Sequence, residues 1–234
     1  MTKYLLEANK IKKIFNHKNG IIKIFENINL KIKCGELVAL IGPSGSGKSS
    51  FLNLLSLLDK PTSGTITFEG KDTSKIKEEE KNFIRQKKIS MIFQDNNLLS
   101  DFTCLENTLM PLIIRGENIN NSKVKAKKIL KDVNLKDRFD HFPHELSGGE
   151  QQRVAIARSL IAETDLVLAD EPTGNLDFKT SKNIFSYFIK LKKMNKAIVF
   201  ATHNRELANM ADYKLSISGG NIKRVNGQYS KRIY

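Results

Sequence analysis

Residues 42–49 read Gly42-Pro43-Ser44-Gly45-Ser46-Gly47-Lys48-Ser49, which fits G-x-x-x-x-G-K-[ST]. Glycines at this spacing let successive backbone N–H groups curl around phosphate oxygens. A helix that opens near Lys48 turns the positive end of its dipole toward the same anion. Such a loop assigns Lys48 to the β and γ phosphates of a nucleotide and the Ser49 hydroxyl to Mg²⁺. The nucleotide-binding candidates are therefore Gly42 through Ser49, together with Ser50 directly after them.

A second set of candidates is acidic. Leu166-Val167-Leu168-Ala169 is an apolar, strand-like run that delivers Asp170 and Glu171 at its end. Asp170 is placed to reach the Mg²⁺ shell. Glu171, one residue on, is placed to hold and polarise an attacking water. Alone, an acidic pair before Pro172 reads equally well as a helix cap; beside the phosphate loop it reads as the hydrolytic half of one site. Ser147-Gly148-Gly149 precede a helical stretch and form a second anion-binding N-terminus. If that stretch lies away from the phosphate loop, its N-terminus gains a use by facing a nucleotide held by another copy of the chain. His203 alone reads as a core or capping histidine; at the end of a fourth strand, beside this set, it reads as catalytic. His17, His141 and His144 carry only structural readings.

These groups need strands to aim them. Leu37–Ile41, Ile89–Phe93, Leu166–Ala169 and Ala197–Ala201 are nearly continuous apolar runs, as expected of strands buried on both faces. Each ends in a polar or glycine-rich element: residues 42–49, Gln94, Asp170-Glu171 and Thr202-His203. Ligands of open α/β sheets bind outside the carboxyl ends of the strands, so four such ends make a site. Helices are expected over Ser50–Leu58, Ser122–Asn134 with Ser122 as N-cap, Gly149–Ala162 and Phe178–Lys193. Leu5–Phe15, Ile21–Ile32 and Thr65–Glu69 read as strands of an N-terminal antiparallel β subdomain. The stretch from about 95 to 160 reads as an inserted helical subdomain, and Tyr213–Ser218 with Asn221–Val225 as a hairpin around Gly219-Gly220.

At 234 residues the chain is expected to form a single α/β domain, 1–234, with a substantial core. Its apolar runs fall far short of the roughly 20 residues of a membrane helix. The start, MTKYLLEANKIKK, lacks the apolar core and cleavage site of a secretory signal, so a cytoplasmic chain is expected. Cys34 and Cys104 have no metal-like spacing and read as reduced thiols. The net charge of +14 raises the question of nucleic acid, but the lysines are scattered, with no aromatic-interleaved basic patch. No nucleic-acid partner is expected; weak attraction to anionic lipid is.

The P-loop, Gln94, Leu146-Ser147-Gly148-Gly149-Glu150-Gln151, Asp170-Glu171, Gly174-Asn175-Leu176-Asp177 and His203 occur in the order seen in ABC-transporter ATPase domains. The resemblance spans about residues 5–225 and implies a P-loop NTPase fold of the ABC type. It also implies ATP hydrolysis with Mg²⁺ between two copies of the chain, a homodimer in the ATP-bound state. By resemblance, Gln94 links Mg²⁺ and the γ-phosphate to a transmembrane permease subunit. Ser147 and Gly149, with Gly148 between them, complete the partner copy's ATP site. Asp177 sits in a loop crossing the dimer interface, His203 contacts the γ-phosphate, and Phe15 stands where an aromatic stacks on adenine. Ser50 replaces a commoner threonine.

Within the family, Leu57-Leu58-Asp59-Lys60-Pro61-Thr62-Ser63-Gly64, Asp101-Phe102-Thr103, Leu105-Glu106-Asn107, Met110-Pro111-Leu112 and residues 169–177 resemble the ATPase subunits of lipoprotein-releasing systems. That implies a peripheral subunit on the cytoplasmic face of the inner membrane, powering lipoprotein release toward the outer membrane. Cell-division and macrolide-exporter ATPases are similar alternatives. Asp95-Asn96-Asn97 departs from the aromatic or histidine residues of close relatives, and Met91-Ile92-Phe93-Gln94-Asp95 resembles the cell-division branch.

Overall fold

The structure, a computed structural model, describes residues 4–18, 20–174 and 176–225. In chain order the elements are β1 (Leu6–His17), β2 (Gly20–Ile32), β3 (Leu37–Ile41), α1 (Lys48–Leu55), β4 (Ser63–Phe68), β5 (Lys71–Asp72), α2 (Glu78–Lys88) and β6 (Ile89–Ile92). They continue with α3 (Cys104–Ile114), α4 (Ile119–Asp132), a 3-10 turn (Pro143–Glu145), α5 (Gly148–Leu160), β7 (Leu166–Asp170), α6 (Phe178–Lys193), β8 (Ala197–Ala201), α7 (Arg205–Ala208), β9 (Tyr213–Ser218) and β10 (Asn221–Val225).

Two sheets result. The first, ordered β2-β1-β4-β5, is antiparallel throughout. The second, ordered β10-β9-β3-β8-β7-β6, is parallel except for β10, which returns beside β9 as a hairpin. The hairpin was expected; its first strand also joins the parallel sheet beside β3, which local pattern does not reveal.

Strands β3 and β8 are apolar at every position, and β7 is apolar up to Asp170, because their two faces feed two different cores. Leu37, Ala39, Val167, Ala169, Ile198 and Phe200 pack with apolar residues of α3, α4, α5 and α6. The alternate residues Val38, Leu40, Leu166, Leu168, Val199 and Ala201 pack with α1 and the inner face of the antiparallel sheet. Successive strand side chains point to opposite faces, so a three-layer arrangement demands this uninterrupted hydrophobicity. Phe185, Phe188 and Phe200 form an edge-to-face cluster that locks α6 onto the sheet.

Helix ends differ from expectation where capping chemistry decides. The fourth helix begins at Ile119, not Ser122, because Asn118 accepts from the N–H groups of Asn120 (3.0 Å) and Asn121 (3.2 Å). Ser122 is instead inside the helix and donates its hydroxyl back to the Asn118 carbonyl at 2.9 Å. The first helix starts at Lys48 and stops at Leu55, and Leu57 beyond it turns left-handed at φ 60°. Helix α2 buries only Ile84, so it carries almost no periodic signal; its start has three glutamates and its end Arg85, Lys87 and Lys88, matching the helix dipole.

Candidate functional site

The phosphate loop leaves β3 at Ile41 and enters α1 at Lys48. Two glycines are enforced by their surroundings. A Cβ on Gly42 would lie 2.6 Å from the Ile217 carbonyl oxygen, and Gly47 adopts φ +97° with its Cβ position 2.8 Å from Ile24. The first turn of α1 has N–H groups without intrahelical partners, which is what an anion requires. Lys48 is buried; its Nζ donates to the carbonyls of Gly42 (3.0 Å) and Pro43 (3.2 Å). The Ser46 hydroxyl oxygen is buried without a hydrogen-bond partner among the described residues.

Strand β7 carries Asp170, only 5% exposed, to the same edge. Glu171 follows in a left-handed conformation (φ 46°), which a non-glycine residue adopts at a cost. Its N–H bonds the Ala201 carbonyl at 3.2 Å, tying it to the end of β8. From β8, His203 meets it: the His203 N–H donates to Glu171 Oε2 at 3.4 Å, and His203 Nε2 lies 3.3 Å from Glu171 Oε1. The same Nε2 is 3.3 Å from Lys48 Nζ. One imidazole thus spans the phosphate-loop lysine and the carboxylate.

Ser44, Gly45, Gly47, Lys48, Ser49, Ser50, Gln94, Asp170, Glu171 and His203 line one cleft of about 540 Å³, with Ile24. Most of the expected set is therefore brought together, from the ends of β3, β6, β7 and β8. Phe15, Ser147, Gly148, Gly149 and Asp177 are not among the residues lining it.

Those outlying residues have well-defined local roles. Ser147 caps α5: its Oγ accepts from the Glu150 N–H at 3.3 Å, while Glu150 Oε2 accepts from the Ser147 N–H and hydroxyl, both at 2.9 Å. The Ser147 N–H, followed by the Arg138 guanidinium, holds the Glu150 carboxyl down at about 2. A Cβ on Gly148 would meet nothing within 4 Å among the described residues, so none of them requires glycine there. Asp177 caps α6 through the Thr180 N–H (3.0 Å) and hydroxyl (2.6 Å), and these bonds, the hydroxyl's first, lower its pKa. Asn175 lies outside the described residues, as does the side chain of His17.

Ile24 is the cleft residue that no motif announced. Its signal is register: Phe15 on β1 pairs with Ile22 on β2, and Ile24 is the residue left unpaired where the register shifts between the Ile14–Lys23 and Lys13–Phe25 pairs. Phe15 (43% exposed) and Ile22 (49%) thereby extend an apolar strip outward from the phosphate loop. Lys13, paired with Asp59 at 2.7 Å, places its Nζ 4.7 Å from the Phe15 ring centroid and steadies it.

The departure at Asp95-Asn96-Asn97 also has a structural account. Asn96 and Asn97 are both left-handed, at φ 56° and 47°, a conformation asparagine tolerates better than an aromatic residue.

Known proteins resemble the chain over most of its length. The family model described as ABC transporter matches residues 25–174. The chain is 42% identical over 223 residues to the lipoprotein-releasing system ATP-binding protein LolD of Legionella pneumophila (strain Paris), covering 95% of this chain and 98% of that one. To LolD of Rickettsia bellii it is 45% identical over 218 residues, covering 92% and 96%. Among solved structures, a dimeric post-hydrolysis state of the ATP-binding cassette MJ0796 bound to ADP and Pi superposes with a TM-score of 0.91 at 36% identity, covering 95% of this chain and 99% of that one.

Proposed function

The chain belongs to the ABC transporter family, and from that footing we propose that it is the ATP-hydrolysing subunit of a complex that releases lipoproteins from the inner membrane for transfer to the outer membrane. Likeness over nearly the whole chain to lipoprotein-releasing ATP-binding proteins carries the cargo assignment. The whole chain acts as one ATPase domain, in which residues 95–160, with α3, α4 and α5, serve as the helical subdomain.

In this mechanism the phosphates of ATP lie against the residue 42–49 loop and the first turn of α1. Lys48 then exchanges its loop carbonyls for phosphate oxygens, a charge-assisted contact. Phe15 and its apolar strip offer the base a stacking surface. Ser49, Gln94 and Asp170 supply hard oxygen donors, and the burial of the Asp170 carboxylate fits a cation there. Among the described residues no group of three or more His, Cys, Asp or Glu side chains forms a cage, so a Mg²⁺ ion needs the nucleotide phosphates as further ligands. Bound there, Mg²⁺ would neutralise charge on the phosphates. Glu171 takes a proton from the attacking water, and His203, held by Glu171, donates toward the γ-phosphate.

A second copy completes each site. Ser147, Gly148 and Gly149 present a capped helix N-terminus with open space in front of Gly148, which suits a phosphate of the partner's ATP. Among the described residues no helix is long and apolar enough to cross a membrane. Transmembrane permease subunits of the lipoprotein-releasing type would hold the ATPase pair at the cytoplasmic face of the inner membrane. The groove of about 500 Å³ between α2, α3 and α5, lined by Arg85, Met91, Phe93, Pro111 and Ile114, is the surface offered to them.

Depletion of the protein tests the cargo. Lipoproteins retained in the inner membrane are expected; cell filamentation with normal lipoprotein sorting would overturn lipoprotein release in favour of a cell-division role.

A further inference from the structure

Arg158 stands on α5, about three turns from Ser147. Its guanidinium NH1 donates to the Asn97 carbonyl and NH2 to the Asn96 carbonyl, both at 2.8 Å. These are the two consecutive left-handed residues that follow Gln94. No carboxylate pairs with Arg158 among the described residues, and burial lowers its pKa. Arg158 is half-buried, and a cation partly removed from water without an anionic partner is costly unless its hydrogen bonds are good. Here a planar fork meets two carbonyls that the left-handed turn aims at it, a geometry lysine cannot reproduce.

From this geometry we infer that Arg158 is a positioning residue for hydrolysis, clamping the segment after Gln94 to the helix whose N-terminus bears Ser147–Gly149. The inference rests on the roles of Gln94 and Ser147 given above. The clamp makes the Gln94 segment and α5 one rigid piece, so Gln94 and the Ser147 N-terminus are positioned together. Arg158 and Asn97 also line the groove assigned to the permease, so an occupant there touches the clamp directly. A guanidinium serving only to fill space would not need two carbonyl acceptors held in strained backbone.

The test is a kinetic double-mutant cycle in the full chain with Mg-ATP, comparing wild type, Arg158→Ala, Gln94→Ala and the double variant. Arg158→Ala is expected to lower kcat about tenfold while nucleotide affinity stays within about twofold, and to add less than about twofold on the Gln94→Ala background. Arg158→Lys should fall between wild type and Arg158→Ala, and replaces it in the cycle if the alanine variant does not fold. Unchanged kcat in Arg158→Ala, full rescue by lysine, or independent multiplication of the two losses overturns the inference. Wild-type turnover in Gln94→Ala alone overturns the underlying role of Gln94, and the clamp with it; a failure confined to Arg158 leaves the ATPase mechanism intact.

Discussion

The Nε2 atom of His203 lies 3.3 Å from Oε1 of Glu171, and the backbone N–H of His203 points at the other oxygen of the same carboxylate. The two residues come from neighbouring strands, β8 and β7, whose parallel pairing sets their spacing. Glu171→Gln keeps the shape and an oxygen to accept from the His203 N–H but removes the basic carboxylate. We expect kcat to fall by about 10²–10⁴, the range of a general base, with ATP affinity within a few-fold of wild type. Wild-type turnover would show that Glu171 is not the base. His203→Ala should also lower kcat, and the double variant should lose far less than the product, because the pair acts as a unit.

Lys48→Ala should abolish tight nucleotide binding. The lysine's contacts within the chain are two loop carbonyls and His203 Nε2, so their loss perturbs the fold little. Titration with a fluorescent ATP analogue should show affinity reduced by at least about tenfold, the worth of a charge-assisted phosphate contact. Unchanged binding would remove the P-loop from the site.

Gly148→Asp separates folding from assembly. A side chain at 148 enters open space, and an aspartate in the first turn of α5 suits the helix dipole. Thermal unfolding of the variant should match wild type within about 1 kcal/mol. ATP turnover should drop by about 100-fold or more, because a carboxylate would face the partner's phosphates. A variant that unfolds readily would mean that the glycine serves its own chain.

Glu150 predicts an acid-dependent stability. Its carboxyl is depressed from an ordinary 4.5 to about 2 by the Ser147 N–H first and Arg138 next. A depressed carboxyl contributes stability that is complete above the unfolded value and is lost as pH falls from about 4.5 toward 2. Glu150→Gln should therefore be less stable than wild type by about 1–2 kcal/mol at pH 7, and the gap should close toward pH 2. Urea unfolding at a series of pH values reads this; a constant gap would leave the carboxylate charge without a role.

Most of the cleft was legible because its residues occupy strand ends and a phosphate loop whose chemistry fixes residue type. Gly42, Lys48, Asp170 and His203 are constrained by what they touch, so their types survive as pattern. Ile24 was invisible because any apolar residue on that face of β2 would serve, and its place depends on pairing with β1 across a register shift. The bond from Arg158 to Asn96 and Asn97 was equally hidden, since the acceptors are backbone carbonyls and carry no side-chain signature. The start of α4 was misplaced because Asn118 precedes two further asparagines, and the apolar period that marks a helix begins only after the cap. The parallel pairing of β9 with β3 joins segments at opposite ends of the chain, which no local window contains.

Two copies of the proposed ATPase close over ATP, and the mass of the Glu171→Gln chain in solution tests that closure. Without nucleotide the protein should run at its single-chain mass of 26.5 kDa; with saturating Mg-ATP it should double, and adding Gly148→Asp should return it to the single-chain value. A Glu171→Gln chain that binds ATP yet stays at 26.5 kDa would mean that ATP does not join two copies.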